Sequence, residues 1–444
     1  MSVTRLPLAG LFLFFLAFLL PLAGCGAAAT GSANATLRIW YSTDDPVERG
    51  WAQQLAQRFQ ATNPGVHVNL TTYSYEDLNT KLQLALSAGD PPDLAYVTPR
   101  GPGIPAYVES HALLDLTAAA RANLWAARLR PGLLEAYNAP FHYLGAKAGE
   151  VVAVPTSLAA VGMLYNARLL QRLNLGVPTS LEQFQRDLAR AKGAGYVPIG
   201  IGNADGWLGD DWYVTLVNAL VPPSELRPEL RLAPGFSFGR PPFLRAANLL
   251  QRWSQQGYLT RDFGGLDAQE GIDQFFAGKT LFQLVSSSEN PQIEADERQT
   301  HLPIGVFAFP SNRGTSTMPQ SGYLGWVVPR AGHNHATAID FINSLLTPST
   351  ARFLVTHAVV PPQRAVPGHA GSSWLRQYLA GLETAEPGVY LDAAPIANLN
   401  GTMEANVQLL LQGYEAPGFL VRSLRKVYET HGRGGSTARI DGEF

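Results

Sequence analysis

The residues best suited to binding chemistry lie in one short segment, Gly202-Asn203-Ala204-Asp205-Gly206-Trp207. The Asp205 carboxylate can accept hydrogen bonds, and the Trp207 indole offers a flat apolar face to a ligand ring. A structural alternative stays open, because tryptophan is usually well buried and aspartate is common in turns. The segment therefore predicts either a binding loop or an ordinary turn beside a core tryptophan.

A second group of polar side chains follows three predicted strands near the start of the chain. Ser42, Asp44 and Asp45 can accept hydrogen bonds, and Arg100 can donate several from its guanidinium fork. Tyr73 ends the second of these strands and could line the same site. The alternatives are that Asp44 or Asp45 caps the next helix and that Tyr73 belongs to the core.

Motifs for covalent and metal chemistry are incomplete. Ala277-Gly278-Lys279-Thr280 resembles the end of a phosphate-binding loop, but Asp273 occupies the first glycine position and a strand, not a helix, follows. Gly-x-Ser-x-Gly is absent, and the only cysteine, Cys25, lies outside the predicted globule. His333-Asn334-His335 has no third metal ligand nearby. The sequence therefore predicts neither a metal nor another cofactor.

A glycoside hydrolase is the enzyme alternative that spacing alone does not exclude. Such enzymes use two carboxylates, and Asp44 and Asp205 could supply them from different parts of the chain. The overall prediction is nevertheless a binding protein and not an enzyme, because the order of short segments along the chain favours binding.

The amino terminus has the layout of a secretory signal. Residues 1–5 carry one charge, residues 8–20 are almost all apolar, and small residues in Leu22-Ala23-Gly24 precede Cys25. This arrangement resembles a bacterial lipoprotein signal. The resemblance implies cleavage before Cys25 and acylation of that residue, which would tether the protein to a membrane on its extracytoplasmic side.

Residues 1–24 are accordingly predicted to be the signal peptide and residues 25–36 a flexible tether, because the latter are small and polar. An ordinary cleaved signal or an uncleaved anchor are the alternatives. Pro21 makes the apolar run short for a membrane span.

Length and charge narrow the class of protein further. The chain has 444 residues, and its formal net charge is −2. No run of five Lys or Arg residues occurs, so the charge pattern does not favour nucleic acid or an anionic lipid surface. About 400 residues follow the tether, more than one hydrophobic core usually supports, so we expect two lobes.

Strand and helix patterns alternate from Leu37 onward. Residues 37–41, 66–70 and 93–97 predict strands, and helical periodicity fills the two intervals between them. Ser74 is positioned to cap the second helix. Alternation of this kind predicts an α/β sheet covered by helices, with a binding site in the loops at the carboxyl ends of the strands.

A second unit of similar type follows. Residues 151–157 lead into an apolar strand that ends at Asn166. Ser180 and Gln183 have the spacing of a capping box, and residues 243–253 repeat with helical periodicity. These patterns indicate a second α/β unit.

The order of several short segments resembles the extracellular solute-binding proteins of ABC importers, in particular the carbohydrate-binding group that includes maltose-binding protein. The resemblance covers nearly the whole chain after the tether. Its marks are Pro92-Asp93-Leu94, Val154-Pro155-Thr156-Ser157, Leu164-Tyr165-Asn166, Pro178-Thr179-Ser180-Leu181-Glu182-Gln183-Phe184, residues 275–278, residues 322–328, residues 336–346 and Val360-Pro361-Pro362.

The resemblance implies a two-lobed, hinged periplasmic-binding-protein fold. The first lobe would comprise residues 37–153 and 327–361, and the second residues 157–322 and 365–444. Three hinge crossings would lie at residues 154–157, 322–326 and 360–364. It further implies a monomer that closes over a sugar and presents the closed form to an ABC permease.

The same resemblance extends the set of candidate ligand contacts. It implies that Asp205 and Trp207 face the cleft from the second lobe, and it adds Ser157, Ser288 and Asn290. Tyr323 lies at a crossing and is a further candidate, with packing of the hinge as the alternative.

One segment departs from the family pattern. Ser286-Ser287-Ser288-Glu289-Asn290 stands where many relatives carry an aromatic residue, which favours hydrogen bonding over stacking and argues against maltodextrin specificity. A polyol, a polyamine or a sugar phosphate on the same scaffold remains an alternative, although the mixture of Asp, Arg, Ser and Trp suits a neutral sugar best.

Overall fold

The computed structural model describes residues 35–43, 46–99, 103–230, 236–363, 371–391, 394, 396 and 398–437. The signal, most of the tether and four predicted functional residues lie outside these ranges; the four are Cys25, Asp44, Asp45 and Arg100. The structure has two separate β-sheets, each flanked by helices, and is therefore two-lobed as predicted.

The first sheet has five strands, in the spatial order β2-β1-β3-β11-β4. These strands are β1 (Ala35–Ser42), β2 (Val66–Tyr73), β3 (Leu94–Val97), β4 (Val154–Pro155) and β11 (Gly325–Val327). β1 pairs in parallel with both β2 and β3, so their carboxyl ends share one edge. β11 runs antiparallel to β3 and β4.

Helices cover both faces of this sheet. They are α1 (Pro46–Thr62), α2 (Tyr75–Ala88), α3 (Ile104–Glu109), α4 (Thr117–Ala122), α5 (Trp125–Arg128), α6 (Leu133–Asn138), α14 (His335–Leu345) and α15 (Pro348–Thr356), with a 3₁₀ helix at Ala139–Leu144.

The second sheet follows the order β12-β10-β5-β7-β6, with β8 paired to β5 and β9 paired to β10. Its strands are β5 (Leu158–Asn166), β6 (Val197–Gly200), β7 (Thr280–Ser286), β8 (Ile304–Phe307), β9 (Phe309–Pro310), β10 (Ser316–Gly322) and β12 (Glu386–Gly388). β6 and β7 are parallel, so the loops that follow them lie at the same edge.

The helices of the second lobe pack around this sheet. They are α7 (Ala167–Arg172), α8 (Leu181–Gly193), α9 (Trp207–Leu220), α10 (Pro223–Leu230), α11 (Pro241–Gln255), α12 (Ala268–Phe276), α13 (Asn290–Thr300), α16 (Ser373–Thr384), α17 (Leu399–Gln412) and α18 (Pro417–Thr437), with 3₁₀ helices at Phe263–Gly265 and Ser287–Glu289.

The chain passes between the sheets from β4 to β5, returns from β10 to β11, and leaves the first lobe again after α15. The first and third crossings touch, because the Leu158 amide donates to the Val360 carbonyl at 3.0 Å. Among the described residues, no helix has both the length and the apolar character needed to cross a bilayer.

Two predicted helix starts can be compared with the structure. Ser74 caps α2 by accepting from the Asp77 amide at 3.1 Å, as predicted. Ser180 caps α8 through the Gln183 amide, also at 3.1 Å. The second half of the predicted capping box is wrong, because the Gln183 side chain accepts from Thr179 and not from Ser180.

Candidate ligand-binding site

A cavity of about 190 Å³ lies where the two lobes meet, and we call it the interlobe cavity. Its walls come from helix starts and loops that follow β1, β2 and β7, and from all three crossings. The lining residues are Glu48, Trp51, Tyr75, Ser157, Leu158, Ser287, Ser288, Pro291, Tyr323, Val359 and Val360. The carboxyl ends of strands are the usual place for a ligand in an α/β fold.

Two tyrosine hydroxyl groups meet in the wall of this cavity. Tyr75 begins α2, Tyr323 lies in the second crossing, and their hydroxyl oxygens are 3.0 Å apart. Burial raises the pKa of Tyr75 well above its ordinary value, and the neighbouring Tyr323 and Glu48 raise it further. The Tyr75 phenol therefore remains protonated at neutral pH and keeps a hydrogen for donation.

Glu48 contributes a carboxylate from the first turn of α1. It is only 9% exposed, and it accepts hydrogen bonds from the Tyr41 hydroxyl at 2.8 Å and the Thr43 hydroxyl at 2.9 Å. The amino terminus of a helix favours a negative charge at this position. The carboxylate is thus held in a fixed orientation in the cavity wall.

Aromatic rings pack behind the cavity wall that Glu48 and Trp51 form. Tyr41 stacks on Tyr96 with ring centres 4.7 Å apart, and Tyr96 lies 4.7 Å from Trp326. Trp51, which lines the cavity, meets Tyr41 edge to face at 6.0 Å. Packing of this kind restrains Trp51 and leaves little room for collapse when the cavity is empty.

The first crossing is anchored to these rings by two side-chain hydrogen bonds. The Ser157 hydroxyl lies 3.0 Å from the Tyr96 hydroxyl, and the Trp326 indole donates to the Thr156 hydroxyl at 2.8 Å. Ser157 therefore lines the cavity with its hydroxyl already placed.

The segment after β7 forms the opposite wall. The Ser287 hydroxyl donates to the Leu158 carbonyl at 2.6 Å and accepts from the Ala160 amide at 3.1 Å, which ties this segment to β5. Ser288 is exposed and lines the cavity. Glu289 accepts from the Ser288 hydroxyl at 2.5 Å, and burial raises the pKa of Glu289 to about 7.

Three predicted contacts, Ser157, Ser288 and Tyr323, are brought together around the interlobe cavity. Ser42 is 2% exposed and is not among the lining residues. Tyr73 does not line it either: its ring packs edge to face on Trp40 at 5.3 Å.

Asn290 is also placed away from the cavity surface. Its side chain is fully buried at the start of α13, and within the described part of the chain neither its amide nitrogen nor its carbonyl oxygen has a hydrogen-bond partner. Pro291, the next residue, lines the cavity instead.

Asp205 lies on the loop between β6 and α9, Trp207 is the first residue of α9, and both lie outside the lining of the cavity. Asp205 is exposed, and Trp207 is half-buried against the core of the second lobe. Gln408 of α17 holds this loop by donating to the Asn203 and Ala204 carbonyls at 3.0 and 3.1 Å. Part of the Trp207 side chain stays exposed.

Sequence reasoning missed Glu48, Trp51 and Tyr75 as site residues. The periodicity indicates only that Trp51 and Tyr75 belong to helix faces. A usable signal is their position, because each lies in the first turns of a helix that follows a parallel strand, at the edge where ligands bind.

A larger groove of about 580 Å³ also has walls from both lobes. Its lining is mainly apolar, and an ion pair between Arg130 and Glu383 at 2.8 Å lies in it. Among the residues that the structure describes, its lining contains none of the predicted site residues, whereas three of them line the interlobe cavity.

Residues 44–352 match the family model described as bacterial extracellular solute-binding protein. The chain belongs to this family. It is 29% identical over 182 residues to the melibiose/raffinose/stachyose-binding protein MelE of Bacillus subtilis, a match that covers 40% of this chain and only 39% of MelE. It is 21% identical over 302 residues to the multiple sugar-binding protein of Streptococcus mutans, covering 66% of this chain and 67% of that protein.

Solved structures of other solute-binding proteins share the fold. A chitin oligosaccharide binding protein superposes with a TM-score of 0.74 at 19% identity, over 90% of this chain and all of the other. The two-lobed architecture and the extracytoplasmic location of the family apply to this chain, and the two relatives named above are sugar-binding proteins by name.

Proposed function

We propose that this protein is a receptor that binds an oligosaccharide between its lobes and delivers it to an ABC permease. The observation that carries the proposal is the interlobe cavity, whose lining combines hydroxyl groups, a carboxylate and a tryptophan from both lobes. Adjacent sugar hydroxyls need paired donors and acceptors once water is expelled, and the C–H face of the ring needs an apolar surface.

The cavity supplies both kinds of partner. Tyr75, Tyr323 and Ser288 carry hydroxyl groups, and Glu48 is an acceptor. Trp51 supplies an aromatic surface. The names of MelE and the multiple sugar-binding protein support a saccharide as ligand.

Closure of the lobes would couple sugar binding to recognition by the permease. A sugar that contacts both lobes stabilises the arrangement in which they approach each other, and the permease would recognise that arrangement. In this proposal the lobes are residues 37–153 with 327–361 and residues 157–322 with 365–444, and they move about the three crossings. Asp205 and Trp207 would meet the sugar units that extend beyond the cavity.

Attachment to the membrane is the second part of the proposal. Cleavage before Cys25 and acylation of that residue would hold the receptor beside its permease on the extracytoplasmic face.

A thermal-shift screen followed by calorimetry tests the proposal. The panel contains melibiose, raffinose, stachyose, chitin oligosaccharides, polyols, polyamines and sugar phosphates. A sugar at a hundred times its Kd should stabilise the folded state by about 2.7 kcal/mol. Binding by charged ligands alone would overturn the sugar assignment, and sugar release from any glycoside would favour the hydrolase alternative.

A further inference from the structure

Glu289 has a specific hydrogen-bonding role beside the interlobe cavity. One oxygen of its carboxylate accepts from the Ser286 amide at 2.7 Å, and the other accepts from the Ser288 hydroxyl at 2.5 Å. Ser286 in turn accepts through its side chain from the Glu289 amide, which completes a capping box. The segment between β7 and α13 is therefore organised around one carboxylate.

The orientation of the Ser288 hydroxyl matters because a hydroxyl group has one hydrogen and two lone pairs. While Ser288 donates its hydrogen to Glu289, the lone pairs are what Ser288 can offer to a ligand hydroxyl. A protonated Glu289 can instead donate to the Ser288 oxygen, which frees the Ser288 hydrogen. The charge on Glu289 thus decides whether the Ser288 hydroxyl accepts a hydrogen bond from a ligand or donates one to it.

We propose that Glu289 is a positioning residue that orients the Ser288 hydroxyl and thereby sets the hydrogen-bonding polarity of the interlobe cavity. The inference rests on the proposed function, since the ligand would be the sugar. Charge-assisted hydrogen bonds are stronger than neutral ones, so the ionised carboxylate keeps the Ser288 hydrogen directed toward itself. A sugar hydroxyl that donates to Ser288 therefore binds more tightly when Glu289 is ionised.

Ionisation of Glu289 falls in the neutral range because burial raises its pKa to about 7. Tyr378 of α16 is its titratable neighbour: burial raises the pKa of Tyr378, and the charges of Glu289 and of Asp211 on α9 raise it further. Across the cavity lie Glu48 of α1 and the phenols of Tyr75 and Tyr323. Because the pKa values of Tyr75 and Tyr378 are raised, both of these side chains stay neutral near pH 7 and add no pH dependence there.

Calorimetric titration at pH 6 and pH 8 tests this inference. Raffinose is the first probe, and the tightest sugar of the panel replaces it if raffinose does not bind. We expect the wild-type Kd to be lower at pH 8 by roughly two- to ten-fold, the range of one hydrogen bond. Glu289→Gln presents an amide N–H to Ser288 at every pH, so its Kd should match the weaker value at both.

Two further variants separate positioning from folding. Ser288 is exposed, so Ser288→Ala should fold normally, and it should lose the same pH dependence. Glu294→Gln is the matched control: Glu294 lies on α13 and pairs with Arg298, and its loss should leave the wild-type profile intact. A wild-type Kd that is equal at both pH values, or a pH dependence that survives in Ser288→Ala, would overturn the inference.

A measurement on the ligand-free protein distinguishes failure of the positioning role from failure of the proposed function. In protein labelled with ¹⁵N-serine, the Ser286 and Ser288 amide signals should titrate near pH 7, and should not do so in Glu289→Gln. Titration without binding of any sugar would support the positioning role and overturn the sugar assignment. Amide signals that do not titrate would overturn the positioning role whatever the ligand.

Discussion

The hydroxyl oxygens of Tyr75 and Tyr323 lie 3.0 Å apart and join the start of α2 to the second crossing. Tyr75 belongs to the first lobe, whereas Tyr323 follows β10 of the second. The pair therefore reports on the relative position of the lobes as well as on the wall of the cavity.

Removal of either hydroxyl should weaken sugar binding. We expect Tyr323→Phe and Tyr75→Phe each to raise Kd by roughly three- to ten-fold, because one hydrogen-bonding group is lost in a desolvated site. Since the two groups touch, the double variant should cost less than the sum, with a coupling energy of about 1 kcal/mol. Calorimetry on the four proteins gives this value. Strict additivity would show that the pair does not act as a unit.

Trp207 and Trp212 on α9 should respond in opposite ways to truncation. Trp207 is half-buried, so Trp207→Ala should raise Kd by roughly ten-fold and change thermal stability little. Trp212 is fully buried and packs against Trp253 and Phe309, so Trp212→Ala should cost about 3–5 kcal/mol of stability. Chemical denaturation and calorimetry check both. A large stability loss in Trp207→Ala would instead favour its role as a core residue.

Stability should depend on pH with opposite signs at two glutamates. Burial raises the pKa of Glu289, so the folded state holds this proton more tightly than the unfolded chain does. The stability that this proton contributes is greatest below pH 4.5, the ordinary pKa of glutamate, and is lost as the pH rises through about 7. The hydrogen bond from Arg313 lowers the pKa of Glu386, so that contribution is present at neutral pH and is lost on acidification.

Thermal unfolding of Glu289→Gln and Glu386→Gln, recorded as a function of pH, measures the contribution of each glutamate to stability. Relative to wild type, Glu289→Gln should become more stable as the pH rises from 5 to 8, by on the order of 1–3 kcal/mol. Glu386→Gln should lose stability relative to wild type at neutral pH and match it in acid. Parallel curves for all three proteins would contradict both assignments.

Membrane attachment should depend on one side chain. Cys25→Ser should abolish incorporation of a radiolabelled fatty acid and move the protein from the membrane fraction to the soluble extracytoplasmic fraction. The folded part should be unaffected, so sugar affinity measured on the released protein should equal that of the wild type. Continued membrane association of the unacylated variant would favour an uncleaved anchor.

The fold was predictable because its signals are local and repeated. Alternating strand and helix patterns, a cap at Ser74 and the order of short segments indicate two α/β units, and the structure has them. β1 begins at Ala35, slightly before the predicted start at Leu37, because Ala35 pairs with Val66 at the end of the ladder.

The site was predictable only in part, because a cavity joins residues that are distant in sequence. Ser157, Ser288 and Tyr323 follow or precede recognisable strands, and they do line the interlobe cavity. Asn290 has the same chemistry as its neighbours, yet the turn into α13 buries it. Which residue of a polar run faces a cavity depends on helix phase, and composition does not reveal it.

The pairing of β11 between β3 and β4 has a consequence for how the chain folds. The first lobe lacks this strand until residues 325–327 are available, so its sheet is incomplete during most of synthesis. Such non-local pairing slows folding, because a long loop must close before its contacts form. Residues 325–327 therefore complete the first sheet only after every strand from β5 to β10 of the second lobe has been synthesised.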